Sequence, residues 1–288
     1  MKAFASIWKM SVKFRIGFTM LAILILLGVF HQVLIRALLG NIDPLEIGTG
    51  GGIFENPSKA HLLGTDRYGR DMVGLLLSGL PITLEVAALA GLLSTALGAI
   101  IGFVAGYNGG RFGDTVLFTI TDMFLVIPTL PLILILAAYA KGLGVIELSL
   151  VLSVFSWPFA ARVIRSQVLS LRERPYVELS RMTNLSAWEI IWQDIFPNML
   201  PYLGIGLAQA SIGAAFALVG LTVLGLAPSG ILDLGTLINN ANQWGVLSLG
   251  KWWLFVAPMG ILTLLFMGVA LINQGLEDFY NPRLRGMS

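Results

Sequence analysis

Six long apolar stretches alternate with polar connections along the chain, at about residues 16 to 39, 81 to 107, 114 to 139, 145 to 169, 199 to 226 and 252 to 276. A helix rises about 1.5 Å per residue, so each stretch is long enough to cross a hydrocarbon core of about 30 Å. The pattern predicts an all-α integral membrane bundle of six transmembrane helices over residues 16–278, between an N-terminal segment 1–15 and a C-terminal tail 279–288. Lys2, Lys9, Lys13 and Arg15 ahead of the first stretch look like the start of a secretory leader. The apolar run is too long for one and no small-residue cleavage site follows, so a retained helix is expected.

Three connections are long enough for structure of their own. Residues 40 to 80 open with Asn41, Asp43, Pro44 and a Gly48–Gly52 tract and read as a loop with turns. Residues 227 to 251 read as a short helix or turn on the bilayer face. In residues 173–201, Pro175 suits the first turn of a helix and Ser186 the cap of a second. Trp188, Ile191, Trp192 and Ile195 then recur at amphipathic spacing up to Pro197, which is expected to end that helix. This predicts helix, bend, helix at the membrane surface, with an apolar face toward the bundle and a small, mixed polar face outward.

Composition agrees with a membrane protein: 56% of residues are hydrophobic, 12% are charged, and the mean hydropathy is +0.84. A formal net charge of +2 without a basic stripe argues against a nucleic-acid partner. Zero cysteines exclude disulfides and thiolate chemistry, and His31 and His61 alone make a poor metal set. Orientation follows the basic residues. Lys2, Lys9, Lys13, Arg15, Arg111, the five arginines from Arg162 to Arg181, Arg283 and Arg285 share one side. Arg36, Lys59, Arg67, Arg70, Lys141 and Lys251 share the other, half as many, so both termini are expected in the cytoplasm.

Within the spans, Asp122 lies eight residues beyond Asp114, with Arg162 at similar depth in the fourth stretch. A buried carboxylate needs a partner. One expectation is an Asp122–Arg162 pair bracing an inner gate. The other has Arg162 snorkelling to the interface and Asp122 bonded to Thr121 or backbone. Pro128, Pro131 and Pro158 predict kinks. Gly204, Gly206, Ala208, Gln209, Ser211 and Gly213 form a small, partly polar face suited to close helix packing. Trp244, Trp252 and Trp253 read as an interfacial belt, Thr65, Asp66 and Asp71 as helix capping, and Glu85 as close to outer-face water.

The loop from Glu173 to Pro201 resembles the EAA loop of bacterial and archaeal ABC importer permeases. Glu178, position 184 and Phe196-Pro197 stand at that motif's spacings, with Leu179 and Ser180 in place of its alanines and Asn184 in place of its glycine. Leu63-Gly64-Thr65-Asp66, Gly69-Arg70-Asp71, Ala105-Gly106-Tyr107, Ser156-Trp157-Pro158, Pro197-Asn198 and Asn281-Pro282-Arg283 narrow the resemblance to the C-type dipeptide and oligopeptide permease branch. The resemblance implies ATP-driven import of oligopeptides or dipeptides by alternating access in a prokaryotic inner membrane, or of oligosaccharides or nickel by the same machinery. It implies four sets of contacts: a second, homologous permease chain, two ATPase domains, an extracytoplasmic substrate-binding protein and the lipid bilayer. It makes residues 176 to 189 a coupling segment, with Glu178, Leu179, Ser180, Arg181 and Asn184 at the ATPase contact, and puts Gln209 and Ser211 beside the pathway.

No nucleotide site is legible in the chain itself: Gly250-Lys251 is followed by Trp252 rather than Ser or Thr. ATP and Mg are therefore expected in separate ATPase subunits, with no cofactor and no catalysis here. The rivals are an ion-coupled secondary carrier, for which Asp122 alone is little support, and an intramembrane hydrolase, which lacks a serine or metal centre.

Overall fold

The computed structural model describes residues 11–48, 51–129, 131–133, 135, 144–183, 185–226 and 230–280. Its helices, numbered here in chain order, are α1 (Val12–Val29), α2 (His31–Leu39), α3 (Met72–Tyr107), α4 (Phe112–Val126), α5 (Val145–Leu171), α6 (Pro175–Met182), α7 (Ala187–Ile190), α8 (Phe196–Val223), α9 (Leu234–Gln243) and α10 (Trp253–Tyr280), with a π-helical turn at Ile191–Ile195 between α7 and α8. Among the described residues, five helical segments are long and apolar enough to cross a membrane: Val12–Val29, Met72–Tyr107, Val145–Leu171, Ala187–Val223 and Trp253–Asp278. The third expected stretch contributes α4, which stops at Val126 ahead of Pro128; several residues beyond it lie outside the described set. Lys141, Pro282, Arg283 and Arg285 also lie outside it.

The first stretch is not one helix. The backbone leaves helical geometry at Phe30 (φ −93°, ψ 12°), so α2 follows α1 as a separate short helix. The second begins earlier than its hydropathy suggests, because Asp71 caps α3 by accepting from Gly74 N at 3.0 Å. Glu85 is consequently 14 residues into α3, about 20 Å along its axis, rather than at its mouth. Pro197 does not end a helix. The Phe196 N–H bonds to Ile191 O, five residues back, so the ladder shifts register just before the proline. Pro197 then falls in the first turn of α8, where a missing N–H leaves no bond unmade.

The most extensively packed helix pair among the described residues is α3 with α5, and the sequence reason is a glycine every fourth residue. A Cβ on Gly98 would come within 2.6 Å of Ala160 Cβ, on Gly102 within 2.9 Å of Ala161 O, and on Gly106 within 2.7 Å of Val168 Cβ. Three bare backbone positions on one face allow the axes to approach until main chain meets main chain. The same device joins α1 to α10 through Gly17 and Gly275, and α3 to α8 at Gly91. By contrast, a Cβ on Gly204, Gly206 or Gly213 would meet nothing within 4 Å among the described residues. The small face of α8 is therefore packed only in part, at Ala208 and Ser211.

At the end of the bundle away from α6, the 40–71 connection is an ordered cap. Buried Asp66 accepts from Tyr68 N, Arg70 N and the Arg70 guanidinium, and His61 Nδ1 lies 2.9 Å from Asp71. Phe54 and Tyr68 pack edge-on against Trp244, so that tryptophan holds the cap together instead of joining a belt. Beneath it, α9 buries Leu234, Leu237 and Ile238 against the spans. The α9 cap is Asp233, fully buried, accepting from Gly235 N, Thr236 N and Oγ1, and Thr222 Oγ1. Burial pushes its carboxyl above the ordinary range, and the four donors only partly offset this.

Two predictions follow from this packing. Gly102→Val should destabilise the detergent-solubilised protein by roughly 1–3 kcal/mol, because the new side chain meets backbone that cannot yield. Gly113→Ala, in open space on α4, should leave its melting temperature unchanged or slightly higher. For Asp233, a raised pKa means the buried carboxyl favours folding while protonated and loses that advantage as pH rises through its folded-state value. Asp233→Asn keeps the cap but removes the titration. The melting temperature of wild type relative to this variant should therefore rise as pH falls.

Candidate coupling surface and membrane groove

The surface element begins where α5 ends. Arg172 closes the α5 C-terminus, and its Nη1 donates to Tyr107 O at 3.1 Å and Gly109 O at 3.0 Å, tying the last turn of α5 to that of α3. Pro175 starts α6 at its first position, as expected. Val177 is the anchor, fully buried among Ile190, Ile191, Ile195 and Met199. Ser186 and Glu189 form a reciprocal capping box that starts α7. Asn184, between the two helices, lies outside the described residues.

The outward face of this element is mixed, with Glu178, Arg181 and Thr183 exposed, and it also carries an apolar row. Tyr176, Leu179 and Met182, three residues apart, are 41%, 67% and 81% exposed. Glu178 is also exposed, Ser180 is half-buried with Oγ bonded to Tyr176 O at 3.2 Å, and the Arg181 guanidinium stacks 5.6 Å from the Tyr107 ring. The three apolar side chains form an exposed row on a helix held by one buried valine. Met182 was missed, although its spacing from Leu179 was the available signal. On α7 and the π turn, Ile190, Ile191 and Ile195 face inward while Trp188 and Trp192 are 65% and 57% exposed. The turn's register shift separates residues that a regular helix would have placed together.

Behind this surface stand two acid–base rungs between α4 and α5. Arg162 pairs with Asp122, both side chains about half exposed. Sequence reasoning missed the more buried rung. Arg165 grips Asp114 bidentately at 2.6 and 2.7 Å, with Asp114 3% exposed and also accepting from Gly110 N at 2.9 Å. Phe118 lies between the rungs, 4.1 Å from the Arg165 guanidinium and 5.9 Å from that of Arg162. The signal was present as two acids eight apart facing two arginines three apart, read as one pair instead of two.

Gln209 and Ser211, proposed together, are on different sides of α8. Ser211 packs against Gly91 and borders an apolar cavity of about 600 Å³ that also holds Glu85. Gln209 lines a groove of about 890 Å³ between α5, α8 and α10, where its Oε1 accepts from Asn273 Nδ2 at 3.2 Å.

Comparison with known proteins decides the class. Residues 98–286 match the family described as "Binding-protein-dependent transport system inner membrane component". The chain belongs to this family. It is a permease subunit of the ABC transporter class, whose members work with ATPase and substrate-binding partners. The permease is 31% identical over 277 residues to the oligopeptide transport system permease proteins OppC of Mycobacterium bovis and Mycobacterium tuberculosis, spanning 95% of this chain and 92% of theirs. A Brucella suis biovar 1 protein carrying a peptide-permease name is 33% identical over 229 residues, 79% of this chain and 74% of its own. In fold, the permease resembles the inward-facing methionine ABC transporter MetNI, with a TM-score of 0.54 at 19% identity, covering 71% of this chain and 97% of that one.

Removing one partner of a buried ion pair leaves an uncompensated charge and costs about 3–5 kcal/mol. Asp114→Asn leaves Arg165 without its bidentate partner and should therefore lower the melting temperature of the solubilised permease markedly.

Proposed function

We propose that this permease is one of two homologous membrane chains of a peptide importer, driven by two ATPase domains that bind ATP and Mg²⁺ and fed by an extracytoplasmic binding protein. The chain itself catalyses nothing and carries no cofactor. It lies in a prokaryotic cytoplasmic membrane with both termini inside, an orientation supported by the twofold excess of basic residues on that side. Peptide as cargo is supported by the near full-length similarity to oligopeptide permeases.

The observation that carries the coupling role is the exposed row Tyr176, Leu179, Met182 on a helix anchored by Val177. In this reading an ATPase subunit covers that row, with Glu178, Ser180 and Arg181 beside it and Asn184 at the bend. The motion passes along two routes. One is the continuous helix from Ala187 to Val223; the other is Arg172, Arg181 and the Asp114–Arg165 rung, which bind the α3–α4 turn to α5 and α6. Asp122–Arg162 then braces the inner gate from α4 to α5. Alternating access follows when the tilt of these helices opens the α5/α8/α10 groove to one side and closes it to the other.

Leu179→Asp tests the surface directly. A charge forced into a covered apolar contact should weaken ATPase-subunit binding about tenfold or more, and ATP-driven uptake by the reconstituted complex should fall with it. The exposed position predicts an unchanged melting temperature for the isolated permease. Undiminished co-purification and uptake would remove the assignment of this face.

A further inference from the structure

The groove between α5, α8 and α10 changes character along its length. At the end nearer the 40–71 cap, the Phe216 and Phe266 rings stack with centroids 3.8 Å apart. Toward the α6 end the lining becomes polar, with Gln209, Asn273, Gln274 and finally Glu277. Glu277 stands one helical turn beyond Asn273.

Asn273 is the unusual member. It is 7% exposed on a membrane-crossing helix, where an apolar residue would avoid any hydrogen-bonding demand. Its Nδ2 donates to Gln209 Oε1, but its Oδ1 has no partner among the described residues. Gln209 Nε2 likewise makes no hydrogen bond among them. The pair thus leaves one amide oxygen and one amide nitrogen without any partner, and exchanging both amide orientations still leaves one oxygen and one nitrogen so. A buried acceptor without a donor is costly and points to a group that the chain does not itself supply.

The groups left free are a neutral amide carbonyl and a neutral amide N–H, which are matched by an uncharged group that both donates and accepts. A secondary amide has this combination in its own N–H and C=O. We propose that Gln209 and Asn273 form an amide-reading site for the backbone of a peptide in transit. The proposal rests on the peptide-import reading above. Because every peptide unit offers the same two groups, such a site contacts cargo without regard to side chains, while the apolar walls tolerate those side chains without binding any one strongly.

The test uses the complete complex in liposomes, with its binding protein saturated by one of two probes, tetraalanine or tetraalanine methylated on its internal peptide nitrogens. Wild type should import tetraalanine under ATP and import the methylated probe several-fold more slowly. Asn273→Leu, close in volume, should slow tetraalanine uptake about tenfold, the weight of one well-made hydrogen bond with its alignment, and bring the two probes to similar rates. Its melting temperature should hold or rise, because an unsatisfied acceptor has gone. Gln209→Leu should lose the same discrimination from the exposed partner, where folding is not at stake. Wild-type rates in both variants, or discrimination that survives in both, would overturn the amide site alone. If wild type imports no tetraalanine under ATP, the peptide-import reading fails first and takes the amide site with it.

Discussion

The approach of α3 to α5 over Gly98, Gly102 and Gly106 is the constraint on which the rest of the permease depends. Two helices whose backbones touch cannot slide past each other without driving main chain into main chain, so their ends are fixed together. Only with that spacing can Arg172, at the end of α5, reach carbonyls at the end of α3, and only then does the turn between α3 and α4 bring Asp114 back to Arg165. The surface helix α6 hangs from this joint. Its one fully buried side chain, Val177, is seated in the cluster formed where α3, α5 and α8 converge.

Much of this was legible in order along the chain, and the misses share a cause. Apolar length predicts spans because burial in lipid is a sum over residues, and Pro175 and Ser186 predict helix starts because capping is local. Pro197 misled because the register shift that accommodates it is spread over the preceding five residues, none of which is unusual in itself. The glycines of α8 were read as packing residues and those of α3 passed over, although both are small faces; which one is covered depends on a partner helix, and that is not a property of the segment. The Asp114–Arg165 rung was missed for the same reason, since its members come from different helices and only one of two possible pairings had been considered.

The two polar layers facing α6 have distinct physical roles. Near the surface, guanidinium groups meet carboxylates and carbonyls and make a stiff joint. Deeper in, beside the groove, the polar groups are neutral amides, which can exchange partners without moving formal charge through a low-dielectric region. A path that must release what it holds is better lined by the second kind than by the first.

The continuous helical segment from Ala187 to Val223, with its π turn near one end, is 37 residues, so about 55 Å, long. One end lies in the surface element and Gln209 stands a little beyond its midpoint. A rod pivoting near its centre moves its two ends in opposite directions. Pushing one end sideways would widen the bundle there and narrow it at the other, so a single continuous shaft can by its leverage open one mouth in the act of shutting its opposite.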